Sequence, residues 1–116
     1  MTTLYGLAHC GTCKKATAWL ADRNVEFEFV DYRENPLDPM RLTAWAAELG
    51  WPKVVNRASM TWRNLPDERK DPQTDADWLA LVAEFPALVR RPLVVHGEAV
   101  HTGFSDKAFS ALFDDA

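Results

Sequence analysis

The sequence predicts an α/β fold: a mixed four-stranded sheet made of a β-α-β half and a β-β-α half, with a helical insertion at about residues 38–88 between them. Three observations carry this. Val25-Glu26-Phe27-Glu28-Phe29-Val30 alternates with period two, as a strand with one buried face does. Four other segments repeat apolar residues at three- and four-residue spacing, the period of a helix with one face on a core. The two cysteines, in Cys10-Gly11-Thr12-Cys13, fall where a first strand turns into a first helix.

Each element follows from its residues. Residues 2–7 read as strand one and residues 11–23 as helix one, with Ala16, Trp19, Leu20 and Arg23 along one side and Asp22-Arg23-Asn24 closing it. The alternating segment 25–30 is strand two. A strand–helix–strand unit closes by a right-handed crossover, so strands one and two should be parallel. Asn35-Pro36-Leu37-Asp38-Pro39 breaks the pattern, and Asp38 before Pro39 is an N-cap followed by proline at the first helical position. The next helix carries Leu42, Trp45, Ala46 and Leu49 and ends at Gly50. Residues 51–69 are less regular, with a short helix at Met60–Leu65. Thr74 or Asp75 caps a helix through Trp78, Leu81, Val82 and Phe85 that stops near Pro86. Leu93–His96 and Ala99–Thr102 flank the tight turn Gly97-Glu98 as a hairpin. Ser105 caps a last helix through Ala108, Phe109, Leu112 and Phe113. The order suits a thioredoxin-like sheet in a single domain, residues 1–116. The tryptophans sit on helical stripes and read as core.

Composition narrows the function. A 116-residue chain that is 47% hydrophobic can bury a core without disulfide staples. A net charge of −4 argues against direct nucleic-acid binding or an anionic membrane surface, which need a basic face. No apolar run approaches the roughly 20 residues of a membrane span. No basic region followed by a long apolar stretch marks a signal peptide, so a cytoplasmic location is expected. A CxxC at a strand–helix junction in such a protein reads as a redox motif.

The chemistry follows from where the pair sits. The first turn of a helix presents unpaired N–H groups and the positive end of its dipole, which favour thiolate over thiol. Cys10, the outer cysteine, is expected to be the more exposed and more acidic, with Lys14 and Lys15 adding positive charge and Gly11-Thr12 forming the turn. Cys13, one turn deeper, can attack a mixed disulfide formed at Cys10. The bland reading is a structural pair. A zinc reading needs two further ligands from His9, His96 and His101. Arg91-Pro92 opens the third strand, where a proline is tolerated, and physics alone allows either isomer of that bond. Arg57 and Arg91 each read singly as ordinary surface arginines. Gly6, Gly11 and Gly103 form no dinucleotide fingerprint. No metal and no tightly bound cofactor is expected.

Taken together, three segments resemble the ArsC/Spx family, the arsenate-reductase-like branch of the thioredoxin superfamily. They are Tyr5-Gly6 with Cys10-Gly11-Thr12-Cys13-Lys14-Lys15-Ala16 and Trp19-Leu20, then Val54-Val55-Asn56-Arg57, then Phe85–Val95 with its Arg91-Pro92. Val100 with Gly103-Phe104 is similar to the hairpin exit of the Spx-like and uncharacterised reductase-like members. The resemblance implies Cys10 as nucleophile, Arg57 and Arg91 around an oxyanion or a glutathione carboxylate, and Pro92 as a cis proline. Guanidinium forks suit such groups. Two departures weaken arsenate chemistry: Gly103-Phe104 stands where arsenate reductases have a third arginine, and Cys13 stands where they have serine.

Three functions compete on this basis. One is a thiol–disulfide oxidoreductase, expected to be monomeric, with Cys10 as nucleophile, Cys13 as resolving thiol and glutathione or another small thiol or disulfide as substrate. Arsenate reduction is its sub-case. Another is an Spx-like redox sensor that binds the RNA polymerase alpha subunit, with Gly50 near the contacting glycine of such proteins, although Gly50 reads first as a helix C-cap. The last is an idle cysteine pair.

Overall fold

The computed structural model describes residues 1–113. They divide into two compact units, residues 1–35 with 91–113, and residues 36–90.

The first unit holds the sheet. β1 (Thr2–Gly6), α1 (Gly11–Asp22), β2 (Glu28–Asp31), β3 (Leu93–His96), β4 (Ala99–Thr102) and α6 (Asp106–Phe113) form it. The strand order is β2-β1-β3-β4. β1 runs parallel to β2, from Thr3 opposite Glu28 to Gly6 opposite Asp31. β3 is antiparallel to both β1 and β4. The predicted mixed four-stranded sheet is therefore present.

One boundary differs from the alternation. β2 begins at Glu28 rather than Val25. Helix termination takes precedence over strand periodicity here. Asn24 adopts the left-handed conformation (φ 58), and the Val25 N–H bonds back to the Leu20 carbonyl at 3.0 Å, so residues 24–25 finish α1. Val25 and Phe27 still pack on the core, half-buried. That core is Leu4, Ala16, Trp19, Leu20, Val94 and Phe109, with Trp19 and Phe109 meeting edge to face at 5.4 Å.

The second unit is helical: α2 (Pro39–Leu49), α3 (Trp51–Val54), α4 (Met60–Arg63) and α5 (Asp75–Glu84), with 3-10 turns at Asp67–Arg69 and Pro86–Leu88. Asp38 caps α2 by accepting from the Met40 N–H, with Pro39 at its start. Thr74 and Asp77 form a reciprocal capping box on α5. Gly50 ends α2 at φ 90 and donates to the Ala46 carbonyl at 2.7 Å. The short α3 falls in the stretch 51–69 that reads as less regular, where the sequence predicts only the helix at Met60–Leu65. Trp78 stacks on Trp51 and on Trp62, with ring centroids 5.6 and 5.9 Å away. The helical tryptophans thus pack, as the apolar stripes predict. Among the described residues no helix is long and apolar enough to cross a membrane.

Candidate active site

The site grows from the junction between β1 and α1. Apolar Leu4 and Tyr5 bury β1, and the chain leaves it at Gly6 and turns through residues 7–10. The Cys10 N–H donates to the Leu7 carbonyl at 3.1 Å. Cys10 is the N-cap residue of α1, with extended backbone (φ −85, ψ 124) and no formed side-chain cap bond. Cys13 lies one turn in, 2% exposed, while Cys10 is half-buried. Neither is in a disulfide.

The two sulfurs have opposite electrostatics. Partial burial pushes the Cys10 thiol up, but the N–H and thiol of Cys13, the Thr12 N–H and the Arg91 charge outweigh it, so its pKa lies below the ordinary thiol value. Burial dominates at Cys13 and, with the neighbouring Cys10 sulfur, pushes that thiol up to about 11. At neutral pH the pair is an anion-prone sulfur in front of a protonated one. Iodoacetamide is therefore expected to modify one sulfur, Cys10, with a midpoint below the ordinary value of about 8.5. Cys13 should stay protected until pH approaches 11. Peptide mapping across a pH series checks this, and equal labelling of both at pH 7 would overturn it.

Arg91 is the cation that acts on both sulfurs. It is half-buried and hydrogen-bonds the hydroxyl of Tyr32. Tyr32 is itself buried, which pushes its phenol up to about 12 against the pull of Arg91 and keeps it neutral. Pro92 follows in a cis Arg91-Pro92 peptide, and its carbonyl accepts from the Gly103 N–H at 2.9 Å. Gly103 has φ 85, a conformation glycine adopts without strain.

A cavity of about 260 Å³ opens on the Cys10 side, lined by Leu7, Ala8, His9, Cys10, Asp31, Arg33 and Arg91. Asp31 braces its floor: one carboxylate oxygen accepts from the Ala8 N–H at 3.1 Å and the other from the Arg33 N–H at 2.9 Å. A larger groove of about 730 Å³ lies at the N-terminal ends of β1 and β2, against Met1 and residues 24–28, but contains no cysteine, histidine or arginine.

The first unit thus brings together Cys10, Gly11, Thr12, Cys13, Arg91 and Pro92. Lys14 is on the same turn but exposed, and Arg91 is the side-chain cation acting on Cys10. Arg57 belongs to the second unit, exposed in the turn between α3 and α4. Among the described residues no three potential metal ligands gather; of the histidines named for zinc, His96 lies beside Thr2 at the far end of β1, its Nδ1 2.7 Å from the threonine hydroxyl. The sequence assigns no role to Gly6, although Tyr5-Gly6 is part of the family signature, and it does not point to Asp31, Tyr32 or Arg33. The usable signal was topological, since parallel strands bring their carboxyl ends to one edge, where ligands of α/β sheets bind.

The ArsC family model matches residues 5–112. The chain belongs to the ArsC family. Among its relatives, an uncharacterised protein of Haemophilus influenzae is 40% identical over 113 residues, covering 97% of this chain and 99% of its own. The global transcriptional regulator Spx of Enterococcus faecalis is 31% identical, covering 91% of this ArsC-family chain and 81% of the regulator. The solved structure of the YffB protein superposes with a TM-score of 0.89 at 35% identity, over 96% of this chain and 97% of that one. An ArsC family related protein from Bacteroides fragilis superposes with a TM-score of 0.81 at 30% identity, over 96% of each chain, and shares the thioredoxin-like architecture.

Proposed function

We propose that this chain is a thiol–disulfide oxidoreductase in which Cys10 attacks, Cys13 resolves, and glutathione or a similar small thiol supplies electrons. The observation that carries the reading is the asymmetry of the pair: an acidified sulfur on an open cavity, backed by a buried, protonated one.

The Cys10 thiolate attacks one sulfur of a substrate disulfide, forming a Cys10–substrate mixed disulfide and expelling the other substrate half as a thiolate that takes up a proton. Cys13 loses its proton and attacks the Cys10 sulfur, releasing the second half as a thiol and leaving a Cys10–Cys13 disulfide. Two donor thiols reduce that disulfide and become a disulfide themselves. Arg91 stabilises the thiolate at the start and end of each cycle. Burial keeps the resolving sulfur protonated at rest, and an adduct on Cys10 removes the smaller contribution of that neighbouring sulfur.

The test is glutathione-dependent turnover of hydroxyethyl disulfide, a glutathione–cysteine mixed disulfide and arsenate. Cys10-dependent reduction of the disulfides is expected. No turnover of any of the three would sink the reading. Arsenate is expected to turn over more slowly than the disulfides, because Gly103, at φ 85, stands where the resemblance to arsenate reductases implies a third arginine.

A second reading rests on the relatives named global transcriptional regulator Spx. In it the same cysteines switch binding to the RNA polymerase alpha subunit. Redox-dependent binding to that subunit's C-terminal domain, without disulfide turnover, would put it in place of the enzyme.

A further inference from the structure

We propose that Asp31 and Arg33 form a charge-paired anchor beside Cys10 that recognises the α-amino-acid head of a thiol substrate, Arg33 taking its carboxylate and Asp31 its ammonium. This rests on the thiol–disulfide reading and adds a substrate class to it.

Both residues line the cavity that holds Cys10. Their backbone is fixed, because Asp31 ends β2 opposite Gly6 and the next residue's N–H donates to the Gly6 carbonyl at 3.0 Å. The Asp31 carboxylate accepts one backbone N–H on each oxygen, which leaves lone pairs for a further donor. Those N–H bonds also hold it well in the carboxylate form. Arg33 is exposed, and among the described residues its guanidinium has no hydrogen bond or salt bridge.

The two arginines of the cavity therefore have different duties. Arg91 is bound to Tyr32 and acts on the sulfurs. Arg33 is available to a ligand. A neutral disulfide would gain nothing from the Asp31–Arg33 pair. A purely anionic group such as phosphate would meet Arg33 but be repelled by Asp31. A zwitterionic head satisfies both. At about 260 Å³ the cavity sits just below the usual range of ligand sites, roughly 300–1,000 Å³. It suits the sulfur arm and one amino-acid head rather than a large substrate.

The experiment compares Cys10 oxidation in the reduced protein by glutathione disulfide, neutral hydroxyethyl disulfide and dicationic cystamine, followed by mass spectrometry. The wild type is expected to react fastest with glutathione disulfide. One exposed charge contact is worth up to roughly fivefold in rate. Arg33→Glu should lose about that factor with glutathione disulfide, keep its rate with hydroxyethyl disulfide, and gain with cystamine. Asp31→Asn, which retains an acceptor for the Ala8 N–H, should lose with glutathione disulfide and with cystamine, which both carry ammonium groups, and keep its rate with neutral hydroxyethyl disulfide. Each disulfide rate is divided by the same variant's iodoacetamide rate, so that any change in the thiol itself, which shares the cavity with both charges, cancels. Equal changes across all three disulfides, or none, would overturn the anchor. A wild type that reacts with no disulfide would instead overturn the thiol–disulfide reading.

Discussion

Cys10→Ser is expected to abolish disulfide reduction, by about a thousandfold or more, while leaving the fold intact. The loss is chemical. An oxygen cannot form the mixed disulfide, and a hydroxyl stays protonated where the Cys13 N–H, the Thr12 N–H and Arg91 hold a thiolate. Removing a nucleophile outright has costs of that order or larger. The fold should not notice. Cys10 is half-buried, caps α1 without a formed side-chain bond, and serine is a good N-cap in its own right. Thermal denaturation of the reduced protein should move by only a few degrees. Cys13→Ser separates the steps. It should retain mixed-disulfide formation at Cys10 and accumulate the adduct, because nothing remains to release it internally. Turnover in Cys10→Ser above a tenth of wild type would mean that the reacting sulfur lies elsewhere.

The same sites show how far the sequence could be read. The CxxC was legible because both its members lie within four residues, and one turn of helix fixes what such spacing means. The hairpin was legible because Gly97 takes the positive φ (61) its turn needs. The start of β2 was not. Val25-Glu26-Phe27 alternates as well as Glu28-Phe29-Val30 does, but Val25 bonds back to Leu20, and β1, which starts at Thr2 with Thr3 opposite Glu28, has run out beside it. Asp31, Tyr32 and Arg33 were missed for a different reason. They stand some twenty residues from Cys10, and no local pattern joins them to it. Their proximity arises when β2 pairs beside β1 in the register that sets Asp31 opposite Gly6. Tyr32 in particular is an ordinary buried aromatic until Arg91 arrives from a distant segment to bond its hydroxyl. A motif found by spacing names the reacting atoms; the residues that tune and feed them come from register.

Gly6→Ala is expected to destabilise the reduced protein by about 1–3 kcal/mol, the usual cost of overpacking a filled interior, and to slow closure of the Cys10–Cys13 disulfide. A Cβ at Gly6 would stand 2.5 Å from the Cys13 sulfur and 3.3 Å from the Phe29 ring. Neither side yields readily. Gly6 is the last residue of β1, paired with Asp31, and its carbonyl accepts from Tyr32. Cys13 is on α1, whose Ala16, Trp19 and Leu20 are buried in the core. The added methyl must therefore turn the Cys13 side chain away, and a disulfide tolerates little error in the placement of its two sulfurs. Urea denaturation under reducing conditions measures the first effect. The rate of disulfide closure after one equivalent of oxidant measures the second. The cause can be isolated with a double-mutant cycle. In a Cys13→Ala background the sulfur is gone, so Gly6→Ala should cost much less than it does alone. If the methyl costs the same with and without that sulfur, the glycine is not there to make room for the resolving thiol.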